Sequence, residues 1–251
     1  MMPYAMKELL NYINGFEPAF SSQAQGASAV EVSRLESLLK RPLPSHYKDF
    51  LLSMGRSMGS LREEDTDFAI GRILKFYETS KRRPPRRYIF IGAQLVDTYG
   101  RFLLDCGEAT EQADCPVVQA DPEEPFKNED HIVPLHGSLK DMLFLLAFSR
   151  KRMALLDHRR RFLPSLVSRG TGNVRIVAPS LVGAIDETLL QLGFQKLPHT
   201  SPLTPLYERG DAAFYVDRSS QGGGLSAELA ARDEREFGRL VEVIQDSTTL
   251  V

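Results

Sequence analysis

Five histidines, two cysteines and a glycine triplet are the residues of this 251-residue chain best suited to chemistry, so their spacing comes first. The histidines are His46, His131, His136, His158 and His199. His131 and His136 flank Pro134 with Asp130 alongside, but a zinc site needs further Cys, His or carboxylate donors at matching spacing, and none follows. They read as two loop histidines, and no metal is expected. Cys106 stands next to Asp105 and Cys115 next to Asp114. This is not a Cys-x-x-Cys motif, and the acidic neighbours oppose thiolate formation, so both thiols read as structural. Gly222-Gly223-Gly224 precedes a final helix, and helix N-termini can hold phosphate. The triplet lacks the Lys-Ser/Thr of a P-loop and the spacing of a dinucleotide fingerprint, so it reads as a connector. Ser165 and Ser168 have no nucleophile-elbow context. No catalytic residue and no cofactor is expected. An enzymatic alternative would draw on Asp186, Glu187, His199 and Asp217 near the C-terminus.

Charge is more informative. From Asp105 to Asp130 stand Asp105, Glu108, Glu111, Asp114, Asp121, Glu123, Glu124, Glu129 and Asp130, with Lys127 the single base, a local charge of −8. Basic blocks lie elsewhere, at Lys81–Arg87 and Arg150–Arg161, and the whole chain carries a formal −2. That balance argues against a general nucleic-acid binder. One reading has acidic and basic loops solvated and balancing each other for solubility. The sharper reading makes Glu108, Glu111, Asp114, Asp121, Glu123, Glu124, Glu129 and Asp130 a partner-binding face for a basic protein. Long-range attraction would then speed encounter, and the flanking Tyr99 and Phe126 would serve as anchors.

Two cysteines do not make a disulfide framework and suit a reducing cytoplasm. Met1–Asn11 has no apolar core of signal-peptide length before Lys7 interrupts it. The longest apolar stretch, Met142–Phe148, falls far short of the roughly 20 residues needed to span a bilayer. A cytoplasmic protein without membrane association is expected.

The elements that must position these residues follow from periodicity. Met6, Leu9, Leu10 and Ile13 recur at helical spacing up to Gly15, and a polar linker follows. Ser28 and Glu31 have capping-box spacing, and Val32, Leu35, Leu38 and Leu39 line the helix they open, which Pro42 ends. Ser45 can cap a second helix carrying Tyr47, Phe50, Leu51 and Met54, with Gly55 as terminator. Residues 57–80 permit a helix through Ile70, Ile73, Leu74 and Tyr77, or a strand. Tyr88–Ile91 closed by Gly92, Arg101–Leu104 entered at Gly100, and Pro116–Gln119 read as strands of an antiparallel meander. Ser138 opens an apolar helix with Leu139, Met142, Leu143 and Leu146 inward, and Arg150–Arg161 could prolong it. Ser168–Asn173 is the best boundary. Beyond it come a strand at Val174–Val177, a helix at Leu181–Leu192, apolar runs near Phe194, Leu206–Tyr207 and Ala213–Val216, and the final helix with Phe237, Leu240, Val241 and Ile244. The expected fold class is α+β, with helices packed on a mainly antiparallel sheet. The expected domains are an N-terminal helix and linker (1–27), a main domain (28–165) and a smaller α+β unit (170–251).

The order of elements from Ala29 onward carries a resemblance. A helix, Leu43-Pro44, Tyr47, Phe50-Leu51 and Gly55 are similar to the signature of the SUKH superfamily. Tyr88–Gly92, Gly100 with Phe102–Asp105, Pro116–Val118 with Asp121, and Ser138-Leu139 with Met142 and Leu143 resemble its later strands and closing helix. The resemblance covers roughly residues 28–150. It implies a non-catalytic binding module, in bacteria usually an immunity protein that neutralises a cognate toxin by occlusion, often a nuclease with a basic cleft. The fungal members imply a second reading, a regulatory scaffold in a cytoplasmic assembly.

Overall fold

The computed structural model describes residues 4–62, 65–94, 100–107, 113–120, 132–169, 172–175, 179–218 and 224–251. The chain divides into two units, Met1–Leu143 and Phe144–Val251.

The first unit begins with α1 (Tyr4–Asn14) and a short helical turn, α2 (Phe20–Gln23). A two-residue strand, β1 (Ala24–Gln25), leads to α3 (Ala29–Leu39) and α4 (Ser45–Met54). Met6, Leu9 and Ile13 are buried, and α1 packs on α4 while α3 packs on α4. The N-terminal helix, expected as a separate segment with its linker (1–27), is therefore part of the first unit. The Ser28 capping box forms as the sequence predicts. Ser28 Oγ accepts from the Glu31 amide, and Glu31 Oε2 accepts from the Ser28 amide at 2.7 Å. Ser45, by contrast, makes no cap bond on α4; its hydroxyl donates to the Ala113 carbonyl, and Pro44 holds the N-cap position.

After α4 come β2 (Ser57–Met58), β3 (Thr66–Asp67) and α5 (Ile70–Thr79). The ambiguous stretch 57–80 thus holds two short strands and a helix, and the helix forms where Ile70, Ile73, Leu74 and Tyr77 all bury on one face. The strands β4 (Tyr88–Gln94), β5 (Arg101–Asp105), β6 (Val117–Ala120) and β7 (Ile132–His136) then form an antiparallel sheet in the order β3-β4-β5-β6-β7. Tyr88–Ile91 and Phe102–Leu104 are buried without alternation, as expected of strands covered on both faces. Gly92 does not close β4. It sits at a bulge where a Cβ would come within 2.5 Å of the Phe68 ring and 2.8 Å of the Asp67 carbonyl. Gly100 enters β5 with φ +98°, a conformation that suits glycine. The helix α6 (Leu139–Ala147) follows β7, and the division between units falls within it.

In the second unit the expected prolongation over Arg150–Arg161 holds only to Leu155, as tightened and widened turns, and gives way to a strand from His158. A π-turn (Phe148–Arg152) and a 3-10 turn (Met153–Leu155) lead into β8 (His158–Phe162). β9 (Leu166–Arg169) and β10 (Gly172–Arg175) pair antiparallel, so the expected boundary at 168–173 falls within this strand pair. The domain limit moves from residues 165–170 to 143–144 because β8 pairs with the last strand of the C-terminal sheet. Then come α7 (Pro179–Gln191), β11 (Gln195–Lys196), β12 (Leu206–Arg209), β13 (Ala212–Asp217), β14 (Ser226–Ala231) and α8 (Glu234–Ser247). β14 is an unanticipated strand between the glycine-rich segment and the final helix. The sheet order is β11-β12-β13-β14-β8, antiparallel throughout. Leu181, Ile185 and Leu189 from α7 and Leu240, Val241 and Ile244 from α8 share a core with Phe162, Phe214 and Leu229. Both units are thus helices on antiparallel sheet, the α+β class.

Candidate functional site

The register of the first sheet decides where the acidic connections are anchored. Tyr88, Asp105, Val117 and His136 stand at one end. Gln94, Arg101, Ala120, Ile132 and Thr66 stand at the other. Residues 121–131 leave from Ala120 and return at Ile132, and residues 95–99 join Gln94 to the β5 end at Gly100 and Arg101, all at the second end. Residues 106–116 join Asp105 to Val117 at the first. The acidic segment is therefore divided between two ends of the sheet by β6, a strand that spans about 13 Å at the usual rise. Of the expected binding residues, Tyr99, Glu108, Glu111, Asp121, Glu123, Glu124, Phe126, Glu129 and Asp130 lie outside the described residues, as does His131.

The register also adds acids that the sequence reading had passed over. β3 pairs antiparallel to the end of β4, with Thr66 opposite Gln94. The residues before it, Glu63, Glu64 and the exposed Asp65, therefore join the chain at the same sheet end as 95–99 and 121–131. Three connections at one end thus hold nine carboxylates, Glu63, Glu64, Asp65, Asp97, Asp121, Glu123, Glu124, Glu129 and Asp130, together with Arg62 and Lys127. Beside β3 a cleft of about 210 Å³ is lined by Met54, Met58 and Phe68, with Arg56 and Arg62 among its polar residues. The linear spacing of 63–65 from 121–130 gives no hint that both are anchored at the same end of the sheet.

The other end is built differently. Asp114, the one described member of the expected set, is taken up in fastening the chain. Its carboxylate accepts from the Cys115, Leu139 and Lys140 amides at 2.8, 3.0 and 3.1 Å. His46 Nδ1 lies 3.0 Å from Asp114 Oδ2, and the His46 amide donates to the Ala113 carbonyl. Helix α6 is thus capped from 25 positions upstream, while Ser138 Oγ accepts from the Asp141 amide. Asp105 is held by a two-pronged Arg87 guanidinium at 2.7 and 2.8 Å. Behind these groups Cys106 and Cys115 are fully buried with their sulfurs 2.9 Å apart. The Cys115 thiol donates to Cys106 and lowers its pKa, although burial and both aspartates push the other way. Cys115 moves up, because ionising it would give up that bond and leave a buried charge. The acidic neighbours do oppose ionisation of Cys106, as expected, but the sulfur–sulfur hydrogen bond outweighs them. Tyr47 and Tyr77, also buried and raised by burial, lie close enough to the pair to interact electrostatically with Cys106.

The residues of the enzymatic alternative do not converge. Asp186 on α7 accepts from Tyr207 Oη and Lys196 Nζ at 2.8 and 3.0 Å. Glu187 is exposed, and His199 stacks on Phe144. In β13, Phe214 and Val216 share the α7-side core, so Asp217 projects from the opposite face by strand alternation. Among the described residues, no group of three or more His, Cys, Asp and Glu side chains is placed to hold a metal. No described helix is long and apolar enough to cross a membrane. Neither protein-family models nor curated proteins give a match to the chain.

Proposed function

We propose that this chain is a protein-binding module of the immunity type, occluding a basic toxin without turnover. Its contact surface would be the end of the first sheet that anchors residues 62–66, 95–99 and 121–131. The observation that carries the reading is that the β3–β4–β5–β6–β7 register anchors two carboxylate-rich segments, 63–65 and 121–131, and the connection bearing Asp97 at one sheet end. Charges on connections anchored at one sheet end can meet a cationic cleft as a run of phosphates would. They also act at a distance, raising association rates in a salt-dependent way. Tyr99 and Phe126 belong to the same connections and are of the residue types that anchor interfaces. The adjoining cleft with its Met54, Met58 and Phe68 lining offers a place for a partner's apolar side chain. The resemblance of residues 28–150 to SUKH modules agrees with such a role, and the toxin would be a secreted nuclease or similarly basic protein. In that setting the protein acts in the cytoplasm of the cell it protects.

The test is charge reversal on the partner recovered by pull-down from the native host. Asp121→Lys with Glu123→Lys and Glu124→Lys should slow association by about 10- to 1,000-fold at low salt, with the gap narrowing as salt rises. Reversal of Glu108 and Glu111 at the other end should change it far less. Equal affinity and equal salt dependence in wild type and triple variant would remove the proposal.

A further inference from the structure

We infer that Cys106 and Cys115 are an oxidative modification site, a dithiol that hydrogen peroxide converts to a disulfide across the neck of the β5–β6 connection. The inference does not rest on the binding role, whose surface is anchored at the opposite end of β6.

The geometry comes from continuing the strand ladder by two residues. Leu104 stands opposite Val117, and the Asp105 amide donates to the Pro116 carbonyl at 2.9 Å. The next pair is Cys106 and Cys115, at a position without ladder hydrogen bonds, where side chains on neighbouring strands come closest. Their sulfurs are 2.9 Å apart, roughly 0.9 Å more than a bonded pair. The backbone on both sides is fastened. The Cys106 amide donates to the Arg87 carbonyl, and Arg87 in turn grips Asp105. The Cys115 amide donates to Asp114, and the Cys115 carbonyl accepts from Leu139. Closing the bond therefore asks for a small side-chain movement and no rearrangement of strands.

The hydrogen bond assigns the roles. Cys106, whose sulfur accepts from Cys115, is the thiol more readily ionised, and its thiolate attacks one peroxide oxygen. Hydroxide leaves, and Cys106 becomes a sulfenic acid. The Cys115 sulfur then attacks the Cys106 sulfur, the second oxygen departs, and the two thiol protons complete the two waters formed. Two thiols are oxidised and one peroxide reduced. Full burial of both sulfurs favours a small neutral oxidant over a bulky disulfide such as oxidised glutathione. The product would close a ring from Cys106 to Cys115 and tie down, at its base, the connection that carries Glu108 and Glu111.

The experiment uses the whole reduced chain. Native protein is titrated with hydrogen peroxide, quenched, unfolded and alkylated, then read by intact mass and peptide mapping. The expected result is joint loss of both thiols near one equivalent of peroxide. A single peptide linking Cys106 to Cys115 should appear, with recovery on dithiothreitol. In Cys115→Ser, dimedone should trap a sulfenic acid on Cys106; in Cys106→Ser, Cys115 should stay alkylatable. If the wild-type thiols survive peroxide in the folded chain, disappear independently, or join separate chains, the inference is overturned whatever the variants do.

Discussion

Replacing Asp114 by alanine tests whether this acid is a fastening of the fold or part of a free acidic surface. The carboxylate takes three amide hydrogen bonds and lies 3.0 Å from His46 Nδ1, with the side chain only 17% exposed. Hydrogen bonds to a charged acceptor contribute about 1.5–3 kcal/mol each, but they are not additive. Leu139 keeps the Cys115 carbonyl as a second acceptor, and water can reach part of the site. A lost N-cap alone costs about 1 kcal/mol. Adding the release of the 113–115 segment from α4 brings the expected loss to about 2–3 kcal/mol. Asp114→Asn keeps one carbonyl oxygen and turns an amide donor toward a backbone donor, so it should cost roughly half as much. Urea unfolding followed by circular dichroism measures this directly, with an expected midpoint shift of about 1 M for a slope near 2–3 kcal/mol/M. A change below about 0.5 kcal/mol in Asp114→Ala, the range of ordinary surface substitutions, would refute the capping role. It would return Asp114 to the pool of exposed acids.

Two tyrosines buried in the same unit should respond oppositely to loss of their hydroxyls. Tyr77 Oη accepts from the Phe90 amide at 2.8 Å, so Tyr77→Phe leaves a strand donor unmet and should cost about 1–3 kcal/mol in thermal or urea unfolding. Tyr47 Oη is buried with no hydrogen-bond partner among the described residues, so Tyr47→Phe should be neutral or stabilising; a loss above about 1 kcal/mol would count against this. Glu31, held at about 2 by the Ser28 and Arg56 hydrogen bonds instead of its ordinary 4.5, has a depressed folded-state pKa. Its contribution is therefore complete above 4.5 and fades as pH falls from there through about 2. Glu31→Gln should flatten the pH dependence of stability in that window, and a carboxyl-carbon NMR titration of wild type with a midpoint near 4.5 would contradict it.

Local signals in the sequence were legible where one residue's chemistry dictates its neighbours' geometry. The Ser28–Glu31 box is the clearest case, since both partners sit within one helical turn and need nothing else. The apolar stripes of α1, α4, α6 and α8 were legible for the same reason. β14 was not: Ser226–Ala231 is half alanine, with buried positions on both faces, so it shows neither β-branched enrichment nor alternation. β8 was hidden by its arginines. Arg159 and Arg161 alternate with Arg160, yet only the pairing with β14 turns a basic run into a strand. β7 was hidden by Pro134, which normally argues against a strand and is tolerated here because β7 is at the sheet edge.

The candidate surface was half legible, and the reason is topological. A run of acids from Asp105 to Asp130 looks continuous when written as a line, but β6 lies in its middle, and a strand carries the chain from one end of a sheet to the other. Connections on either side of a single antiparallel strand must be anchored at opposite ends, so the continuous run splits into two. By the same rule, connections separated by two strands return to the same end, so 95–99 and 121–131 are both anchored there. Antiparallel pairing of β3 to β4 adds 63–65. Charge density along a sequence therefore locates a surface only after the strand count between the charges is known. Here that count gives the β6–β7 end a larger acidic set than linear reading assigned, and leaves the β5–β6 end with its described aspartates, Asp105 and Asp114, already engaged by Arg87, His46 and the first turn of α6.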